Sequence, residues 1–138
     1  MRVFFDSSSL AKRYIDEKGS DQIHPLFLQA ESVLVSSICL PEIISAFARL
    51  RREKKISMTQ YDKCKRSAVE DFATFQICQL SPEVIRTCIA LLERADLRAM
   101  DALHVACAIE AKAALFVSSD ERQLAAAKKF KLTIKPVQ

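Results

Sequence analysis

The chain has 138 residues, half of them apolar, a single glycine, and a formal net charge of +4. That is enough for one domain with a buried core, and it excludes a disordered chain. No apolar run is long enough to cross a bilayer, and the N-terminus lacks the hydrophobic stretch and cleavage site of a signal peptide. The mild basic excess suits a polyanionic partner without demanding one.

The five cysteines, Cys39, Cys64, Cys78, Cys88 and Cys107, are odd in number and widely spaced, with neither metal-ligand nor redox spacing. They are expected to be small buried hydrophobes in a reducing cytoplasm.

Val3-Phe4-Phe5 is an uninterrupted apolar run too short for a helix, which predicts a strand over residues 2 to 5 buried on both faces. Asp6 follows with no polar lead-in. One of Ser7, Ser8 or Ser9 is expected to cap a helix carrying Leu10 to Ile15, with Gly19 ending it or the turn beyond. Ser20 and Asp21 can cap a second helix through Ala30, with Pro25 disturbing its first turns. Val33 to Val35 reads as the second strand.

A helix is predicted from about Leu40 to Lys55, since Ile43, Ile44, Phe47 and Leu50 share one face. Pro41 near its start places Glu42 in the first turn. Ser57 can cap a helix to about Phe75, and Ile77 to Leu80 is a weak third strand. Ser81-Pro82 opens a helix to Leu92 or Glu93, and Met100 to Ala113 forms another, with Asp101 in its first turn. Leu115 to Val117 is the fourth strand, ending at Ser118-Ser119-Asp120. A helix to about Phe130 and a strand at Thr133 to Lys135 complete the chain. Strands alternating with helices through connections of crossover length predict an α/β fold: a parallel sheet with helices on both faces, in a single domain over 1–138.

In such a sheet, the ends of the strands and the starts of the following helices share one edge, where open α/β sheets place their ligand crevice. Asp6 and Asp120 end strands, and Glu42 and Asp101 open helices. Each acid taken singly reads as a helix cap or a partner for the helix dipole. Four together on one edge repel one another and call for a counter-charge. A hard divalent cation such as Mg²⁺ or Mn²⁺ takes oxygen ligands, and water made more acidic by it can attack a phosphodiester. That chemistry needs no catalytic Cys or His and no Gly-rich loop.

Four blocks then resemble a known family. They are Phe5-Asp6-Ser7-Ser8-Ser9-Leu10 through Tyr14; Ser36-Ser37 through Leu40-Pro41-Glu42-Ile43; Leu97-Arg98-Ala99-Met100-Asp101-Ala102-Leu103-His104; and Val117-Ser118-Ser119-Asp120. In this order they resemble the PIN-domain ribonucleases, and among them the VapC-type toxins of bacterial toxin–antitoxin pairs. The resemblance implies a three-layer α/β/α sandwich around a mostly parallel sheet of four to five strands. It also implies a Mg²⁺- or Mn²⁺-dependent endoribonuclease that cleaves RNA, forms a homodimer and is inhibited by a cognate antitoxin. By position, Asp6, Glu42, Asp101 and Asp120 take the catalytic and metal-binding roles. Ser7 and Ser118 match positions suited to bonding an acid, a water or a phosphate. Lys131 departs from the family, whose members often have glycine before the last strand.

Lys12 and Arg13 lie close enough after Asp6 for one of them to reach a phosphate. His104 shares a helix face with Asp101, as a base or as packing below the site. Arg49, Arg51, Arg52, Lys54 and Lys55 cluster at a helix C-terminus, as a solvated end favoured by the dipole or as a contact to RNA or antitoxin. Two other readings compete. A receiver-type phosphoacceptor module would need paired acids after the first strand, where Asp6-Ser7 stands, and an Asp after the third. A catalytically silent binding module would have no use for the four acids.

Overall fold

In a computed structural model, which describes residues 1–138, five strands form one sheet. They are β1 (Arg2–Phe5), β2 (Ser32–Ser36), β3 (Gln76–Cys78), β4 (Leu115–Ser118) and β5 (Ile134–Pro136). The order is β3-β2-β1-β4-β5, and every pairing is parallel. Phe4 stands between Leu34 of β2 and Phe116 of β4. Because β1 lies at the centre, both of its faces are covered, which is why its sequence lacks polar alternation. The order reverses direction between β1 and β4, which makes a topological switch point. Receiver modules use the order 2-1-3-4-5, so the sheet order removes that reading.

Seven helices cover the two faces. Helices α1 (Ser7–Ala11), α2 (Ser20–Gln29), α3 (Cys39–Arg52) and α4 (Met58–Phe72) pack Leu10, Ile23, Ile43, Phe47 and Phe72 against Val3, Phe5 and Val117. On the other face, α5 (Pro82–Arg94), α6 (Ala99–Glu110) and α7 (Glu121–Lys129) pack Leu91, Val105 and Leu124 against Phe4, Leu34 and Phe116. The result is the expected three-layer sandwich. Helix α6 is apolar nearly all round, with Ala102, Val105, Ala106, Cys107 and Ala108 buried, as befits a helix enclosed by α5, α7 and the sheet. All five cysteines are free. No helix is long and apolar enough to cross a membrane.

Several boundaries differ from expectation for identifiable reasons. Asp6, not a serine, caps α1: it is still extended at ψ 174°, and its side chain accepts from the Ser9 amide. Helix α1 stops at Ala11 because the residues beyond it are drawn to α4, where Asp71 accepts from Arg13 Nε at 2.9 Å and from the Tyr14 hydroxyl at 2.8 Å. Gly19 lies in the turn beyond α1, one of the two places expected for it, and opens α2. Its φ is +95°, and a Cβ there would lie 2.9 Å from Val137 Cγ1, so the position requires glycine twice over. Helix α2 runs through Pro25.

Helices α3 and α6 each end three residues before their predicted ends, for one shared reason. At both, and at α7, a lysine occupies the left-handed position just past the helix: Lys54 at φ 59°, Lys112 at 54° and Lys131 at 70°. The bonding is the Schellman pattern each time. Lys54 and Lys55 amides bond to Arg51 and Leu50 carbonyls, Lys112 and Ala113 to Ile109 and Ala108, and Lys131 and Leu132 to Lys128 and Ala127. In a chain with one glycine, the usual stop signal is missing. Lys131 adopts the left-handed conformation that glycine usually serves past a helix end.

Candidate active site

The sheet brings the four acids together. Asp6 joins β1 to α1, and Asp120 caps α7 just past β4, so they flank the switch point. Glu42 and Asp101 lie in the first turns of α3 and α6. All four line one cavity of about 450 Å³, with Ser7, Ser8, Lys12, His104 and Gln123 among its walls.

Asp6 is fully buried and fully bonded. Its Oδ1 accepts from the Ser9 amide at 3.0 Å and the Ser9 hydroxyl at 2.7 Å. Its Oδ2 accepts from the hydroxyls of Ser8 and Ser118, each at 2.7 Å. The serine run and Ser118 thus supply the hydrogen-bond donors that a buried carboxylate needs. Ser118 Oγ also accepts from the Asp120 amide at 2.9 Å, which ties the two strand ends together.

Glu42 Oε1 accepts from Ser7 Oγ at 2.6 Å and meets His104 Nε2 at 2.5 Å. Burial pushes the Glu42 carboxyl up, but the hydrogen bonds from His104 and Ser7, with the charge of His104, outweigh it and hold the group below its ordinary value. Asp101 goes the other way. Burial raises it, repulsion from Asp120 and Glu42 adds to the rise, and His104 and a hydrogen bond from Gln123 only partly offset these. Asp120 Oδ1 caps α7 through the amides of Arg122 and Gln123 at 2.9 and 3.3 Å. Asp6 and Asp120 are therefore helix caps and cavity acids at once, and the two readings do not compete.

The basic residues divide. Lys12 lines the cavity, ion-paired to Glu17 at 3.0 Å. Of the two residues expected to offer one phosphate contact, Arg13 is not part of the cavity wall: its guanidinium pairs with Asp71 and lies 4.1 Å from the Phe27 ring centroid. Of the basic cluster, Arg49 lines both the acid cavity and an adjoining one that shares Glu42 and Ala46, and it makes no ion pair. Arg51 sits over the Tyr61 ring at 5.6 Å, and Lys55 pairs with Glu53.

Two site residues were poorly legible beforehand. His104 is 1% exposed and bonds to Glu42, so it packs below the site and orients an acid. Gln123, bonded to Asp101, was not anticipated. Its only signal is the Asp120-x-x-Gln123 spacing of a capping box, which points to a different bond from the one it makes.

No group of three or more His, Cys, Asp or Glu side chains closes on a common ion. The donor set is nonetheless all carboxylate oxygen, and the four acids have only His104, Lys12 and Arg49 as basic side chains in the same cavity wall. A small hard cation that retains part of its water shell and takes only one or two carboxylates directly fits such an open set; a thiolate or imidazole metal does not.

A parallel three-layer sandwich with an acid-lined crevice at its switch point defines a class of α/β protein with a carboxylate site. Within that class the chain belongs to the PIN domain family, whose model matches residues 3–129. No curated protein sequence matches it closely enough to count as a relative. Among solved structures it is similar to FitAcB from Neisseria gonorrhoeae, with 14% identity, 96% of this chain and 95% of that one covered, and a TM-score of 0.73. A toxin–antitoxin complex from Klebsiella pneumoniae gives 16% identity, 89% and 90% coverage and a TM-score of 0.68. VapC20 from Mycobacterium tuberculosis, a toxin that cleaves the sarcin–ricin loop, gives 16%, 90% and 94%, and 0.67. At these identities the likeness is one of fold.

Proposed function

We propose that the chain is a Mg²⁺- or Mn²⁺-dependent endoribonuclease, the toxin of a toxin–antitoxin pair. It acts as a homodimer in the cytoplasm, which suits its five free thiols, and a cognate antitoxin restrains it. The observation that carries this reading is the convergence of Asp6, Glu42, Asp101 and Asp120, from four separate segments, on one cavity at the switch point. Family membership supports it, as does the likeness in fold to an RNA-cleaving toxin.

The four carboxylates would hold the cation between them, directly or through the water it retains. When bound, it supplies Lewis-acid chemistry, polarising water and a phosphoryl oxygen during hydrolysis. The protein does the rest. Ser8, Ser9 and Ser118 fix Asp6 in direction. Ser7 and His104 do the same for Glu42. Arg49, free of carboxylate partners, binds a backbone phosphate at the rim, and Lys12 can exchange Glu17 for another. The buried serine and histidine network excludes water from behind the acids, so the open side is the cavity.

The test is cleavage of total bacterial RNA by purified protein. Cleavage is expected with Mg²⁺ or Mn²⁺, is lost in EDTA and returns with excess metal. Equal cleavage in EDTA contradicts the mechanism, and binding of metal and RNA without cleavage contradicts the enzyme.

A further inference from the structure

Gln123 is the one buried amide side chain of the molecule, 3% exposed, in the first turn of α7. Its Nε2 donates to Asp101 Oδ1 at 3.1 Å and lies 3.5 Å from Asp120 Oδ2. Its Oε1 is buried with no partner. The carboxylates fix which way the amide points: with nitrogen and oxygen exchanged, an acceptor would face two anions and no donor would reach them.

A stranded buried carbonyl is a standing penalty. Methionine or leucine, of similar bulk, would carry none. What the amide adds over such an apolar side chain is its donor nitrogen. Asp101 makes no other side-chain hydrogen bond, and its neighbours Asp120 and Glu42 repel it. Helices α6 and α7 are separated in the chain by β4, so no local backbone geometry sets the spacing of Asp101 and Asp120.

We propose that Gln123 is a positioning residue: its amide ties Asp101 on α6 to Asp120 at the start of α7 and holds both carboxylates in one cavity wall, facing a shared divalent cation. This rests on the nuclease reading of the cavity and adds to it a residue outside the four acids. Gln123 is 3% exposed and bonds to the acids themselves. It acts through the two carboxylates, as outer partners of metal ligands do.

The experiment is calorimetric titration of Mn²⁺ into wild-type and Gln123→Met protein, each shown to be folded by circular dichroism, alongside steady-state RNA cleavage. Methionine keeps the length and bulk and removes the donor. Mn²⁺ affinity is expected to fall by about 10- to 100-fold, the range for losing an outer partner of a metal ligand. The kcat should fall while KM for RNA stays unchanged, a split that a purely structural role would not produce. If the methionine variant does not fold, Gln123→Leu carries the same expectation. Wild-type Mn²⁺ affinity in a folded variant overturns the proposal while leaving the nuclease reading intact. Absence of Mn²⁺ binding by the wild type overturns both.

Discussion

Asp101 is raised by burial first and by its acidic neighbours second. Its folded-state pKa lies above the ordinary aspartate value. Its contribution to stability is therefore present below that ordinary value and is lost as pH rises through the folded value. At neutral pH the ionised group works against the metal-free fold. Asp101→Asn should accordingly raise the melting temperature in EDTA at pH 7 and abolish most of the further rise that Mn²⁺ gives the wild type. Scanning calorimetry with and without metal checks both halves, and a lower melting temperature in EDTA would contradict the assignment. Glu42 carries the opposite sign. Its depressed pKa means that its contribution is present above the ordinary glutamate value and lost as pH falls through the folded one. Glu42→Gln should therefore lower the neutral-pH melting temperature and flatten its acid limb. The acids were legible in the sequence because each follows or opens an apolar element. The directions of Arg13 and Gln123 were not, because each is decided by a carboxylate on a distant element, Asp71 on α4 and Asp101 on α6.

The elements repeat one device at three helix ends. Lys54, Lys112 and Lys131 are exposed, so burial does not hold them in the left-handed region; the Schellman bonds do. A left-handed residue other than glycine costs about 1–2 kcal/mol, while glycine costs the folded chain about 0.5–1 kcal/mol in entropy. Lys131→Gly is therefore expected to stabilise the fold by roughly 0.5–1 kcal/mol in urea unfolding, with an unchanged m-value. Gly19 is the mirror case: Gly19→Ala forces a Cβ toward Val137 at a positive φ and should destabilise. The strands, the starts of α4 and α5 and the α3 face were readable because Ser57, Ser81 and the i, i+3, i+4, i+7 pattern are local signals. Helix C-termini were not, since lysine there also reads as an ordinary dipole partner.

At the scale of the whole molecule, charge is sorted. The chain is net positive, yet its crevice is lined by acids, with Lys12 and Arg49 facing it. In the proposed function a cation neutralises the floor before RNA approaches, and Arg49 then meets the strand. Arg49→Ala should raise KM for RNA, leave kcat unchanged and reduce the salt slope of log affinity by about 0.7, the value for one phosphate contact on a single strand. An unchanged slope would place that contact elsewhere. The sheet order was only partly legible beforehand: alternation of strands and helices gives parallel pairing, but which strand sits beside which depends on packing across the entire chain. The central claim is that four distant carboxylates serve one ion, and the most direct measurement is Mn²⁺ titration into Asp6→Asn, Glu42→Gln, Asp101→Asn and Asp120→Asn. Each folded variant is predicted to weaken the same binding event seen in the wild type. Wild-type affinity in any two of them would contradict a shared site.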